Sequence, residues 1–397
     1  MPGKVYDVDI SETIPPIWGA KRYDWLYVLV RYQSDPIGWL SLSNAQHHPV
    51  ISERRLHEEI TEQLSWRLAV NLLKKRLIAP QTEQRTTDSI SVVICTRDRA
   101  DLLAGCLRTV LALDYPNYEV VVIDNAPSSD ATAKLAVSLP VRYVREDRPG
   151  LDWARNRGIA EARHNIIAFT DDDVRVDRAW LRAIGNAFLD PEVMAVTGFI
   201  APAELESEAQ HLFEFKYGGM GKGFSRRTFR KSELNTYELL AAQAFGVGAN
   251  MAFRSRVFND IGLFDVALDV GTPSGGGGDL DMFHRLVAKG HTLVYEPAAL
   301  AWHIHRRSGD FLRQQIYDNG RSFGSYLLTC VRNRTVSSRQ ALKFVARQWF
   351  GRWIIPRLLR PRGFPRRLTL AEFAGAFRSP RAYRASQKRA KQLAEGQ

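Results

Sequence analysis

The stretch Asn165-Ile166-Ile167-Ala168-Phe169-Thr170-Asp171-Asp172-Asp173-Val174 climbs out of a helical segment on a short apolar run and stops on three successive carboxylates. Such a run, bounded by polar residues, reads as a strand buried on both faces that delivers acid groups to the rim of a sheet. Three adjacent carboxylates repel one another, and a solvated acidic turn is one reading of them. Their place at the end of an apolar strand favours another, because hard oxygen ligands of this kind suit Mg²⁺ or Mn²⁺. In an extended segment residues i and i+2 share a face, so Asp171 and Asp173 are expected to converge on one ion while Asp172 points elsewhere.

The sequence upstream repeats the pattern. Ile90-Ser-Val-Val-Ile-Cys-Thr-Arg-Asp-Arg is an apolar strand ending in polar residues, followed by a helix over 100–113. Tyr118-Glu-Val-Val-Val-Ile-Asp124 ends in another carboxylate before a helix over 129–138, and Val141-Arg-Tyr-Val-Arg145 precedes Pro149-Gly150 and a helix through Ala162. Strands alternating with helices predict an α/β fold with a parallel sheet, whose ligands bind beyond the carboxyl ends of the strands. Thr96, Asp98, Asp124 and Asp171 all fall there, and unrelated surface acids would not collect on one edge.

Downstream, residues 180–189 read as a helix and Val193-Met-Ala-Val-Thr-Gly as a strand. Residues 213–230, rich in Gly and basic residues, read as a mobile loop. It is not a Walker phosphate loop, because Gly221-Lys222 is followed by Gly223 and no apolar strand leads into it. In Thr272-Pro-Ser-Gly-Gly-Gly-Gly-Asp-Leu-Asp-Met-Phe-His-Arg-Leu the four glycines give the backbone freedom and close access to a ligand. Asp279 and Asp281 then open a helix whose dipole favours carboxylates. Capping is the structural alternative for Asp281, whereas Asp279, directly after the glycines, is the candidate for chemistry. Thr292-Leu-Val-Tyr-Glu-Pro and Leu300-Ala-Trp-His-Ile-His read as two strands. His303 and His305 alternate in one direction, which makes one of them a candidate metal ligand.

In this order and spacing, residues 90–307 resemble an inverting family 2 glycosyltransferase of GT-A fold. The resemblance rests on Cys95-Thr-Arg-Asp-Arg99, Val122-Ile-Asp-Asn125, Arg148-Pro-Gly with Ala154-Arg-Asn156, Thr170-Asp-Asp-Asp173, Gly248-Ala-Asn-Met-Ala-Phe-Arg254, Gly278-Asp-Leu-Asp281 with Arg285, and Trp302-His303. It implies a Rossmann-like, mostly parallel sheet with flanking helices, and a nucleoside-diphosphate sugar as donor. Thr96, Arg99 and Asp124 would contact the nucleoside, and Arg97, Arg155, Asn156, Asp172 and Asn250 belong to the same donor side. Asp171 and Asp173 would form the divalent-metal motif, Mn²⁺ or Mg²⁺, with His303 as a third ligand. Asp279 would be the general base that activates an acceptor hydroxyl. The family carries an acidic pair where this chain has Gly278-Asp279, so the first acid is missing. Asn250 and Arg254 would line the sugar or acceptor side, with a surface cation on a strand end the alternative for Arg254; for Arg155 and Asn156 a structural role at the helix start is the alternative.

The remaining sequence frames that core. Residues 1–88 read as an N-terminal α+β module: Trp25-Leu-Tyr-Val-Leu-Val-Arg-Tyr and Pro36-Ile-Gly-Trp-Leu-Ser-Leu as strands, then a helix over 52–77 with a packing stripe of Leu56, Ile60, Leu64, Leu68 and Leu72. Residues 80–89 read as a linker into a catalytic domain over 89–307, and residues 308–397 as a basic helical extension. The 397-residue chain carries +12, but from Val331 onward there are 17 Lys or Arg against Glu372 and Glu395, about +15, so the body is slightly acidic. That weighs against nucleic-acid binding by the catalytic body. The mixed aromatic and basic residues 341–360 fit either an amphipathic segment on an anionic membrane or a helix packed on the catalytic domain. Cys95, Cys106 and Cys330 show no metal or disulfide spacing, and neither a signal sequence nor a run of 18 apolar residues is present. The expectation is a cytoplasmic protein, peripheral at the inner face of the plasma membrane, acting on a glycan or lipid-linked acceptor. The rival classes are a nucleotidyltransferase-type metal enzyme and a nucleic-acid binder acting through the tail.

Overall fold

The structure, a computed structural model, describes residues 3–43, 45–47, 50–78, 88–360 and 363–395. Gly3–Asp9 (β1), Trp25–Tyr32 (β2) and Asp35–Ser43 (β3) form a three-stranded sheet in that order, β1 parallel and β3 antiparallel to β2. The first of these strands has no clear apolar alternation and was not expected. Glu53–Ile78 (α1) lays Leu56, Ile60 and Leu64 on the sheet, but Leu68 is half-buried and Leu72 is exposed. The packing stripe ends early for a geometric reason: 26 helical residues run about 39 Å, whereas the nine-residue strand runs about 30 Å. Most of the expected linker, 80–87, lies outside the described residues. The N-terminal sheet is tied to the rest of the chain by Gly3 N–H donating to the Leu205 carbonyl at 2.9 Å, and by Arg31, which bridges Asp7 at 2.6 Å and Asp177 at 2.7 Å.

Ile90–Thr96 (β4) is buried at every position, as its unbroken apolar run requires. Around it lie Tyr118–Asn125 (β5), Arg142–Glu146 (β6), Ile166–Asp171 (β7), Val174–Val176 (β8), Val193–Pro202 (β9), Arg227–Phe229 (β10), Asn250–Arg254 (β11) and Thr292–His303 (β12). The nine strands run in the order β8-β12-β9-β11-β7-β4-β5-β6, with β10 on β12. The half containing β7, β4, β5 and β6 is parallel; β11 is antiparallel to both neighbours, and β9 and β12 are again parallel. Helices Ala100–Val110 (α2), Ala131–Val137 (α3), Leu151–Glu161 (α4) and Trp180–Ala187 (α5) flank it, giving one apolar core on each face.

Three expectations change. The two strands expected over residues 292–305 are one strand, with a register irregularity that shifts its pairing from Glu296 to Leu300. Residues 213–230 are not a free loop: a π-helical turn, Leu212–Tyr217, opens them and β10 closes them against β12. Asp172 and Asp173 form a turn between β7 and β8 rather than a continued strand, so simple alternation does not set their directions.

After Gly278–Ala288 (α6) and β12, the chain forms Gly309–Arg332 (α7), Ser338–Phe344 (α8), a π-helical stretch Val345–Ile354 and Arg366–Ala394 (α9). Helices α7 and α9 pack backbone to backbone. A Cβ on Gly320 would overlap the Glu372 carbonyl, and one on Gly375 the Tyr317 carbonyl, so only glycine allows this approach. The segment 341–360 thus packs on the catalytic body through Ala341, Phe344 and Ile354, although Leu342, Phe350 and Leu359 stay exposed.

Candidate active site

Parallel pairing puts Thr96 opposite Asp124 and Cys95 opposite Asp171, so three polar strand ends meet on one edge of the sheet. Thr96 Oγ1 donates to Asp172 Oδ2 at 2.8 Å, and Arg99 Nη1 donates to Asp172 Oδ1 at 3.2 Å while lying 3.5 Å from Asp173. Asp172 therefore turns back to the edge of β4. Arg97 is exposed beside Asp98, whose carboxylate accepts from the Ser128 N–H and hydroxyl at 2.8 Å. Asp124 is fully buried. Its Oδ2 accepts from the Tyr143 hydroxyl at 3.0 Å, its Oδ1 has no partner among the described residues, and burial pushes its carboxyl up. An orphaned acceptor of this kind suits the N–H or O–H of a nucleoside.

The acid triplet splits three ways. Asp171 faces Arg155 at 3.8 Å, and burial, with Asp173 and Asp172, pushes it up to about 6 against the pull of Arg155. Asp173 lies 3.4 Å from His303; burial opposes its charge, but His303 and Arg99 hold its carboxyl below the usual range. His303 in turn meets His305 at 3.2 Å between their Nδ1 atoms, and His305 Nε2 meets Glu214 at 2.9 Å. Two hard oxygens and an imidazole nitrogen are a fitting donor set for Mg²⁺ or Mn²⁺. Asp171, Asp173 and His303 are not drawn together in advance, however: among the described residues no group of three or more His, Cys, Asp or Glu is arranged to hold an ion.

Arg155 is the cation of this region. On α4, its guanidinium lies 3.1 Å from Asp152, and although burial works against its charge, Asp152, Asp171 and Asp279 hold it firmly protonated. Asn156 has a different fate. Its amide clamps the Phe264 backbone, accepting from the N–H at 2.9 Å and donating to the carbonyl at 3.0 Å. Asn250 is fully buried; it donates to the Phe199 and Ala299 carbonyls and accepts from Trp180 Nε1. Arg254 is likewise spent on the Val193 and Phe188 carbonyls.

Gly275, Gly276 and Gly277 all have φ between +83° and +123°, and this turn delivers Asp279 to the start of α6. Asp279 Oδ2 accepts from Gly248 N–H at 2.8 Å and Oδ1 from Leu280 N–H at 2.9 Å. Asp281 is buried and paired with Arg285 at 2.7 Å; an ion pair, not a cap, is its role. At the missing first acid, a Cβ on Gly278 would overlap the carboxylate of Asp152. Asp152, on α4, thus occupies the space that a side chain at position 278 would enter. Burial and the neighbouring Asp269 push its carboxyl well up.

One cavity of about 1020 Å³ joins Asp171, Arg155, Asp152 and Asp279 to Lys222 and to side chains of the C-terminal helices. Sequence reasoning missed Asp152, Lys222 and that C-terminal wall. Only Asp152 left a signal, an acid in the first turn of a helix after Gly150.

The family model for glycosyl transferase family 2 matches residues 91–262. Glycosyltransferase AglE of Haloferax volcanii is 26% identical over 239 residues, 58% of this chain and 71% of that protein. The pre-mycofactocin glycosyltransferase of Mycobacterium tuberculosis is 26% identical over 253 residues, 62% of this chain but half of that protein. The structure of a mannosyltransferase from Pyrobaculum calidifontis, in complex with GDP-Man and Mn²⁺, superposes with a TM-score of 0.52 at 16% identity, covering 79% of this chain and 94% of that one. With the strand order and the site geometry, these matches settle the class: the chain is a glycosyltransferase whose residues 91–262 belong to family 2, on a GT-A fold.

Proposed function

We propose that the chain transfers a sugar from a nucleoside-diphosphate sugar to a hydroxyl of a glycan or lipid-linked glycan, with inversion at the anomeric carbon. The observation that carries this is the shared cavity: Asp171 and Arg155 lie on the same space as Asp279, whose carboxylate is fixed by Gly248 N–H. Asp279 takes the acceptor proton as the acceptor oxygen bonds to the anomeric carbon. The bond from that carbon to the phosphate oxygen breaks on the opposite face, and the nucleoside diphosphate departs. Asp171 and Asp173, with His303 beside them, would hold a divalent cation, which supplies Lewis-acid neutralisation of the diphosphate. Arg155 adds a fixed positive charge, and Asp124, with Thr96 opposite it on the sheet edge and Arg99 held on Asp172, offers the acceptor atom for the nucleoside.

The test is a thermal-shift panel of UDP, GDP, dTDP and CDP with and without Mn²⁺, on wild type and Asp173→Ala. One nucleotide is expected to stabilise the wild type in a metal-dependent way, by about 2.7 kcal/mol at a hundredfold excess over Kd, and to lose that effect in the variant. No shift with any nucleotide would remove the donor site.

A membrane surface is part of this reading. On α9, Leu370, Phe373 and Phe377 share one face at i, i+3 and i+7, and Phe350 lies against Phe373. Phe377 is 80% exposed, and Arg366, Arg367, Arg378 and Arg381 surround the face. Exposed aromatics within a basic field suit an anionic bilayer, and no helix among the described residues is long and apolar enough to cross one. Phe377→Glu should abolish co-flotation with phosphatidylserine vesicles without altering the nucleotide shift; unchanged flotation would sink the membrane role.

A further inference from the structure

His303 is one end of a row of polar contacts that leads away from the acid triplet. Its Nε2 lies 3.4 Å from Asp173 Oδ1, its Nδ1 lies 3.2 Å from His305 Nδ1, and His305 Nε2 lies 2.9 Å from Glu214 Oε2. Building on the metal-assisted transferase reading above, we infer that Glu214 is a positioning residue: through His305 it fixes the His303 ring with Nδ1 protonated and Nε2 turned, as a ligand, to Asp173 and the cation.

The order of the protons follows from the far end of the row. A carboxylate only accepts, so His305 Nε2 is the donor to Glu214. A neutral imidazole carries one N–H, which leaves His305 Nδ1 as an acceptor. An N–H on His303 Nδ1 satisfies it, and the nitrogen that His303 then presents to Asp173 is Nε2 with its lone pair. A lone pair and a carboxylate oxygen facing each other need something positive between them, a proton or a divalent cation. Metal-ligating histidines are generally oriented in this way, the second ring nitrogen donating to a partner on the side away from the metal.

Unusual backbone holds Glu214 at this point. It belongs to the π-helical turn Leu212–Tyr217, a conformation that concentrates at functional sites. Gly218 and Gly219 close the turn by donating to the Phe213 carbonyl at 3.2 and 3.0 Å. Gly219 has φ +55°, and a Cβ there would overlap the Glu214 carboxylate, so glycine makes the room that the acid needs. His305 is held from two further sides: its ring meets the edge of Phe213 with centroids 4.9 Å apart, and its carbonyl accepts from Gln210 Nε2 at 3.1 Å. The side chains of His305 and Glu214 are 2% and 11% exposed, so water competes little for the bond between them. A tie between the π-helical turn and the end of β12 alone would not require His305 to bond His303 as well.

Nitrogen NMR of the histidine rings in the metal-free full chain tests the proton order. His303 should be protonated at Nδ1, and His305 at Nε2 with Nδ1 bare, the signals being assigned with His303→Ala and His305→Phe. Mn²⁺ affinity, read by electron paramagnetic resonance with whichever nucleoside diphosphate stabilises the chain, tests the consequence. Glu214→Gln, which can donate as well as accept, and His305→Phe, which keeps the packing on Phe213, should each weaken Mn²⁺ binding about 10–100-fold, the usual cost of losing the outer partner of a metal-bound histidine. His305→Asn should retain most of the affinity, because its amide oxygen can accept from His303 Nδ1 in place of the imidazole; a purely structural role for His305 would not separate these two variants. A bare Nδ1 on His303 in the wild type would overturn the proposal, as would Mn²⁺ binding unchanged in both Glu214→Gln and His305→Phe. The expected proton order in a wild type that binds no Mn²⁺ would keep the positioning by Glu214 and remove the cation from the transferase reading instead.

Discussion

Asp279→Asn lowers the rate of nucleoside-diphosphate release in the presence of acceptor by about 10²–10⁴-fold, the range expected when a positioned general base is lost, equivalent to about 2.7–5.4 kcal/mol of barrier. The expectation follows from the accounting of acids around the cavity. Asp281 is buried against Arg285 and cannot reach an acceptor. Asp172 is spent on Thr96 and Arg99. Asp152 Oδ1 is held 3.1 Å from the Arg155 guanidinium, an ion pair that commits it to Arg155. Asp279 alone combines a place on the cavity with two backbone N–H donors that fix its carboxylate. The amide keeps the shape but offers one acceptor oxygen in place of two, so the Gly248 contact also weakens. For that reason the nucleotide thermal shift must accompany the rate: chemistry lost with donor binding retained identifies the base. A rate within about threefold of wild type, with donor bound normally, would move the base elsewhere.

Much of this site was legible because its signals are local. Buried parallel strands must be continuous apolar runs, and their polar ends must fall on one edge, so Thr96, Asp124 and Asp171 announce themselves within ten-residue windows. Asp279 follows a run of glycines that only a strained turn requires. What was not legible depends on long-range packing. Asn156 and Asn250 stand among motif residues, and the partners of their amides, Phe264 and the Phe199 and Ala299 carbonyls, lie more than 45 positions away in each case. Asp152 acquires its place only because Gly278, distant in sequence, leaves room for its carboxylate. The C-terminal wall is the clearest instance. Trp349 and Trp353 sit in a segment whose composition fits a membrane helix equally well, and their contacts with Phe323 on α7 and with Phe373 and Glu372 on α9 are invisible in the sequence.

Arg155→Met is expected to destabilise the folded chain by about 3–5 kcal/mol, the usual result of removing one partner from a buried ion pair. The side chains of Arg155 and Asp152 are 7% and 2% exposed, so water cannot compensate either charge. Asp152, Asp171 and Asp279 all bear on this guanidinium, and its loss leaves their mutual repulsion unopposed at the point where donor phosphates would add further negative charge. Methionine preserves the aliphatic volume beside Phe264, whose ring lies 5.4 Å from the guanidinium carbon, so the loss reports charge rather than packing. Urea denaturation with an unchanged m-value reads it directly. The double variant Arg155→Met with Asp152→Asn separates two accounts of the same number. If Arg155 chiefly balances Asp152, the second substitution restores much of the stability, with a coupling in the range of about 0.5–3 kcal/mol expected for touching residues. If Asp152 is already protonated and Arg155 chiefly serves Asp171, the two effects add, and the stability returns when Mn²⁺ supplies the missing charge. A loss below about 1 kcal/mol, the level of an exposed pair, would show that the buried acids carry their protons in the native state and that Arg155 is held for the donor rather than for the fold.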